Sequence, residues 1–417
     1  MHVLTHSILP FAGILFALIV IHELGHYVTA KLFGVKVLEA GLGYPPRLWA
    51  VTWRDTEYSV NALPLGGFVR MLGEEDPGDP QSLAAQVKWK RAIILGSGAA
   101  MNLVLAIALF SASQMIPHTV SIGGARIEEV APGSPAEHAG LQAGDVITKV
   151  NGRKASSVED ASYLLRLYQG SHIDLTLLRE DARSGAETVT ANVYSRWNPP
   201  TYTDECGLTH DQGPIGITVG PRYGQNVAWT PEERQKLEAS AQKERERLQR
   251  EVKPGSPAHC YDVPIPKYNF IPYTHSRWSP PWVAIPRGVR MSFESLILAR
   301  NQVWTWIRGY TAPQVTGPVG IAQATGEVVE QAGWQSLIEF SALLSMNLAV
   351  LNILPLPMFD GGRLFFVFVE FVRRGKRIAP EKEALVHLTG LVMILVLAAV
   401  ITYFDVLRVF RGDSLLR

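Results

Sequence analysis

Five consecutive residues, His22-Glu23-Leu24-Gly25-His26, put two imidazoles four positions apart with a carboxylate beside the first. On a helix, positions i and i+4 share one face, so both rings can reach a single Zn²⁺. Glu23 then stands where it can hold a metal-bound water and take its proton. A catalytic zinc wants three protein ligands and an open position. The best third donor is Asp360, in the run Asn352-Ile-Leu-Pro-Leu-Pro-Met-Phe-Asp-Gly-Gly362. Pro355 and Pro357 would break a helix there, and Gly361-Gly362 would let the backbone turn, freeing Asp360 to face inward. The plain alternative for Asp360 is a residue that merely stops a helix. For the histidines it is a pair satisfied by neighbouring helices, which leaves the Glu between them unexplained.

The chain that must position these groups has 417 residues, of which 47% are apolar and only 18% charged. Soluble proteins average roughly 25% charged, so this is neither a disordered chain nor a wholly soluble one. A net charge of +1 provides no global basic field, which argues against a nucleic-acid partner. Two cysteines cannot build a small disulfide scaffold or a four-cysteine zinc site.

Four stretches are apolar enough to cross a bilayer core, which takes about 20 residues. They are Ser7 to Ala30, Ala92–Ile116, Leu337–Leu354 and Ala384–Phe404. The first lacks the basic flank and small-residue site of a cleaved signal peptide, so it is expected to stay. Fourteen residues, Ile8 to Ile21, precede His22 in that span. At 1.5 Å per residue the motif lies roughly 20 Å in from the outer face, where ionisable groups are functional by default. Span three runs the same way, so Asp360 can reach the same depth. Basic residues crowd two connections, Lys31 to Arg91 and Arg363 to Lys382, which predicts both to be cytoplasmic. Both termini and the long segment 117–334 then lie outside, although Arg408, Arg411 and Arg417 mildly oppose this.

That segment begins as a small α+β module. Ala125–Val130, Asp145–Val150, His172–Leu178 and Glu187–Tyr194 read as strands, with helices started by Ser134 and Ser157 and a completing strand near Gly213–Ile217. Pro231–Lys253 is highly charged and reads as a solvated helix or a disordered insert; Pro254–Pro286 has little regular pattern. Arg287–Arg308 has helical apolar spacing and could lie in the membrane interface or pack on the module. Cys206 and Cys260 both fall in the segment placed outside, where disulfides persist. They are expected to pair, closing a loop of about 55 residues around the charged stretch.

The motifs together resemble the site-2 protease family of intramembrane zinc metalloproteases, with the bacterial RseP-type members nearest. The resemblance rests on H-E-L-G-H in span one, N-x-x-P-x-P-x-x-D-G-G at span three, and a run from Pro132 to Gly152 that resembles the PDZ domains of bacterial proteases. Gly66-Gly67-Phe68-Val69-Arg70-Met71, Gly317-Pro318-Val319-Gly320-Ile321 and Asn102 support it across nearly the whole chain. The usual Gly-Pro-x-x-Asn signature appears as Gly98-Ala99-Ala100-Met101-Asn102, a departure that bears on helix geometry and not on chemistry. A second PDZ domain, found in some members, is not recognisable.

The resemblance implies a polytopic α-helical membrane protein with four spans, an extracytoplasmic α+β PDZ domain over 117–220, and a membrane-associated β-hairpin within the cytoplasmic loop 31–91. Spans fall in 1–30, 92–116, 311–362 and 384–417, separated by a charged, Pro-rich insert at 221–286, an amphipathic helix at 287–310 and a cytoplasmic segment at 363–383. It implies one Zn²⁺ held by His22, His26 and Asp360, with Glu23 as general base and Asn352 holding the substrate backbone. A transmembrane helix has its carbonyls occupied and must unwind to be cut. Tyr58–Asn61 and Gly67–Leu72, joined by Leu63–Gly67, are expected to form the hairpin, with Gly66, Gly67, Phe68 and Val69 at the edge that receives the unwound strand. Expected substrates are single-span proteins of the inner membrane, such as anti-sigma factors already cut outside by a site-1 protease, or remnant signal peptides. A zinc transporter would want repeated halves and a polar path, and neither is visible. A catalytically dead scaffold is opposed by the intact Glu23.

Overall fold

The computed structural model describes residues 4–74, 76–181, 185–203, 206, 209–252, 256–263, 265–311 and 317–411. The expectations for Arg417 and for the first residues of the 311–362 segment lie outside the described residues. The chain divides into two compact units. One comprises residues 1–116, 278–296 and 314–417, and the other 117–277 and 297–313.

Among the described residues, four helices of the first unit are long and apolar enough to cross a membrane: Thr5–Leu32, Lys88–Met115, Ser336–Ile353 and Glu381–Leu407. They belong to α1, Leu9–Leu32, to α2, Lys88–Met115, and to the long helices Pro318–Ile353 and Pro380–Arg411 near the end of the chain. Each lies within a few residues of its expected bounds, because a bilayer-length apolar run can satisfy its backbone only as a helix. Leu395, Val396 and Leu397 near the middle of the last span are all more than half exposed, an arrangement that needs lipid around it. Pro10 sits in the first turn of α1, directly after the π-helical turn Leu4–Ile8. Gly25 on α1 and Gly98 on α2 let these helices approach closely; a Cβ on Gly25 would lie 2.5 Å from the Ser97 carbonyl oxygen.

Between α1 and α2 the chain forms two long antiparallel strands, β1, Val37–Trp53, and β2, Thr56–Met71. The turn falls at Arg54-Asp55, both with positive φ, and not at Leu63–Gly67 as expected. Both strands also bend back. Residues 37–42 of β1 pair on one side with 67–71 of β2 and on the other with 57–60, and 49–53 pair with 56–60. The two segments expected to pair with each other therefore flank Val37–Leu42 instead. Gly67–Val69 sits at one edge of the resulting sheet.

In the second unit an antiparallel sheet runs in the order Ile217–Pro221, Ala125–Val130, Val146–Val150, His172–Asp181, Gly185–Tyr194, with Arg153–Lys154 on the central strand. The completing strand starts at Ile217 rather than Gly213, because Gly216 takes a positive φ of 81° and turns the chain first. Two short helices, α3 at Pro135–His138 and α4 at Val158–Leu167, are capped by Ser134 and Ser157, as their sequences predict. Ile127, Ile147, Val150, Ile173, Leu175 and Leu177 form the core with Leu164 and Leu165 of α4.

The charged stretch is the helix α5, Pro231–Glu251, held by a capping box between Thr230 and Glu233. Its Glu233 carboxyl is shifted below the ordinary range by the Thr230 hydroxyl and backbone N–H. Cys206 and Cys260 are bonded beside it, with Cα atoms 5.3 Å apart, and pack with Val252 and Leu248. The Pro-rich stretch, expected to be irregular, supplies Tyr268–Pro272 and Thr274–Arg277, which pair with Gly224–Ala228 and His118–Ser121. The amphipathic helix α6 runs Pro281–Ile307. Ile297 and Leu298 pack on the sheet core, and Asn301 Nδ2 donates to the Leu167 carbonyl at 3.3 Å.

In the remaining part of the first unit, α7, Pro318–Ile353, is broken at Gly333, where φ is 79°. It is followed by α8, Asp360–Val372, and α9, Pro380–Arg411.

Candidate metal centre

The α1 register carries His22 and His26 to one face, and their Nε2 atoms lie 3.3 Å apart. Asp360, the first residue of α8, brings Oδ2 to 3.0 Å from His22 Nε2 and 3.1 Å from His26 Nε2. Two donors four positions apart and a third 334 positions beyond His26 thus form a nearly equilateral triangle. With zinc–ligand distances near 2.0–2.1 Å, a tetrahedral centre has an edge of about 3.3 Å, so the residues present fit that ion with a fourth corner open.

The local sequence explains how Asp360 arrives. α7 ends at Ile353, and Pro355 and Pro357 keep the following turn out of the helix. Met358 takes a φ of 81°, and its N–H donates to His387 Nδ1 on α9 at 3.0 Å. Gly361 and Gly362 serve close packing rather than an unusual backbone conformation: a Cβ on either would collide with carbonyls of residues 353–356. His387 carried no sequence signal beyond being a titratable residue in an apolar span, which is itself a reason to look for a partner.

Around the triangle, His26 Nδ1 donates to the Ile94 carbonyl at 2.9 Å. His22 Nδ1 faces the amides of Asn102 at 3.3 Å and Asn352 at 3.5 Å. Asn352 therefore reaches the metal centre, but as a neighbour of His22. Gly98 presses against both rings. The missing proline leaves α2 an uninterrupted helix through Ala99.

Glu23 lies beside the triangle, half buried, and accepts a hydrogen bond from the backbone N–H of Val69. A Cβ on Gly67 would lie 3.3 Å from Glu23 Cγ. The edge of the hairpin sheet is thus brought alongside the candidate general base. Gly66 is buried next to it, and Phe68 is half buried. A second gathering, Cys206, His259 and Cys260, also brings donor atoms together. Its sulfurs are bonded to one another, so it has no thiolate to offer a metal.

Two histidines and a carboxylate converging between apolar spans, with a glutamate one residue along, define a membrane-embedded metallopeptidase. The profile of peptidase family M50 matches residues 10–397. A candidate zinc metalloprotease of Clostridium perfringens is 31% identical over 394 residues, covering 94% of this chain and 96% of its own. One from Nostoc is also 31% identical, over 93% of each chain. Zinc metalloprotease RasP of Oceanobacillus iheyensis is 25% identical over 94% of this chain and 97% of its own. The chain belongs to peptidase family M50, the site-2 protease family, and is an integral membrane zinc metalloprotease.

Proposed function

We propose that this protein cuts single-span membrane proteins within the bilayer, with zinc held by His22, His26 and Asp360 and Glu23 as general base. The observation that carries the reading is the triangle of donors 3.0–3.3 Å apart on apolar spans, with Glu23 at its side. Zinc, when bound, polarises the scissile carbonyl and makes its bound water more acidic. Glu23 takes the proton of the attacking water and passes it to the leaving amine. The edge at Gly66, Gly67, Phe68 and Val69 receives the unwound substrate as an added strand, which supplies backbone partners that the bilayer cannot. Asn352 holds the substrate backbone near the metal.

The basic connections 31–91 and 363–383 support a cytoplasmic placement for both, and with it an extracytoplasmic second unit and termini in the inner membrane. The sheet and helices of 117–220 act as a PDZ domain that restricts which ectodomains are admitted. Substrates are then proteins already shortened outside by a site-1 protease, such as anti-sigma factors, or remnant signal peptides. The Cys206–Cys260 bond, formed in that oxidising compartment, ties down the exposed helix α5. The test is cleavage of a model single-span substrate by purified protein in detergent. Turnover that chelation abolishes and zinc restores is expected; cleavage indifferent to zinc would reject the reading.

A further inference from the structure

The two histidines are held through their outer ring nitrogens by different kinds of group. His26 Nδ1 faces the Ile94 carbonyl, a fixed acceptor, so its proton stays on Nδ1 and Nε2 is left for a metal. His22 Nδ1 instead faces two amides, the Nδ2 of Asn352 at 3.5 Å and, nearer, the Nδ2 of Asn102 at 3.3 Å, on a fully buried side chain. The Asn102 Oδ1 has no hydrogen-bond partner among the described residues. Ser345 on α7 fixes the position from behind, donating to the Asn102 carbonyl at 2.8 Å.

With its N–H₂ facing Nδ1, the amide suits the tautomer that carries the His22 proton on Nε2, toward Asp360 Oδ2 at 3.0 Å. That tautomer cannot ligate through Nε2. Ligation needs the proton on Nδ1, where it would meet the amide N–H₂, donor against donor. A half-turn of the amide brings the idle Oδ1 to the Nδ1–H. An amide can serve either tautomer from one position, as neither a carboxylate nor a carbonyl can.

We propose that Asn102 is a positioning residue for the zinc centre, turning its amide to accept from His22 Nδ1–H and so holding that ring in its ligating form. The inference rests on the zinc reading of His22, His26 and Asp360 given above.

The test is zinc affinity of the full chain in detergent, measured by competition with a chelator, for wild type, Asn102→Asp, Asn102→Ala, Asn102→Leu and His22→Ala. Asp accepts but cannot donate, and is expected to hold zinc at least as well as wild type. Ala and Leu are expected to lose roughly 10–100-fold, the usual cost of removing a partner of a ligating histidine. In ¹⁵N-histidine spectra of the zinc-loaded protein, the Nδ1–H signal that His22→Ala removes should be shielded from exchange in wild type and Asp, and exposed to it in Ala. A role in packing alone would not move that signal. Ala and Leu binding as tightly as wild type, or Asp falling as far as Ala, would overturn the proposal. If Leu fails to fold, the comparison of Asp with Ala decides alone. Wild type that binds no zinc, or His22→Ala that binds normally, would instead overturn the zinc reading itself.

Discussion

Gly98 on α2 lies against His22 on α1 so closely that a methyl group there would stand 2.6 Å from His22 Nε2. The same methyl would press on His26, so one absent side chain makes room for both rings. Gly98→Ala should leave the helices intact by circular dichroism yet displace the donors. Displacements of about 1 Å can cost on the order of 10²-fold in turnover, and zinc content should fall with it. Wild-type zinc content and activity in Gly98→Ala would show that the crowding has no consequence.

Glu23→Gln should bind zinc normally and lose roughly 10²–10⁴-fold in turnover, because Glu23 stands beside the donor triangle without belonging to it. His22→Ala, His26→Ala and Asp360→Ala should lose the metal as well as the activity. Metal analysis alongside single-turnover cleavage separates the two outcomes. Zinc loss in Glu23→Gln would make that residue a ligand.

On α9, the buried Asp405 accepts from the N–H groups of Gly317 and Gly320 at 2.9 Å each. It thereby caps the N-terminus of α7, where the N–H groups of Gly317 and Gly320 have no acceptor within the helix. Asp405→Ala leaves those donors in a buried place and should cost about 1–3 kcal/mol. A fall in thermal midpoint or faster proteolysis between α8 and α9 would register it, while Asp405→Asn should recover part of the loss.

Excising the α+β module, roughly residues 122–195, should spare hydrolysis of a substrate already trimmed outside. It should also permit cleavage of the untrimmed form, since this domain is proposed to restrict access. Comparing the two substrates with one folded deletion protein gives the answer. Continued rejection of the untrimmed form would remove the gatekeeping role.

Cys206 and Cys260, 54 positions apart, should resist alkylation in unreduced protein from the membrane and react after reduction. The loop-entropy estimate for that separation is on the order of 4 kcal/mol. Loss of the bond should therefore show as protease sensitivity around α5, whose surface is largely exposed. Free reaction of both thiols without reductant would count against it.

The sequence by itself determined the spans and the two histidines. A run of bilayer length has one way to satisfy its backbone, and a spacing of four has one meaning on a helix. It also marked Asp360, through prolines and glycines that act locally. Tertiary structure alone decided what surrounds those groups. β1 and β2 depart from the turn expected at Leu63–Gly67 because strand pairing is non-local: Val37–Leu42 inserts between segments whose own pattern predicts that they pair with each other. The support from Ile94, Asn102 and His387 depends on which helix faces come together, and apolar periodicity does not specify that across hundreds of residues. Hydrogen bonds of this kind are set by packing distance, so only the folded chain could place the amide of Asn102 on His22.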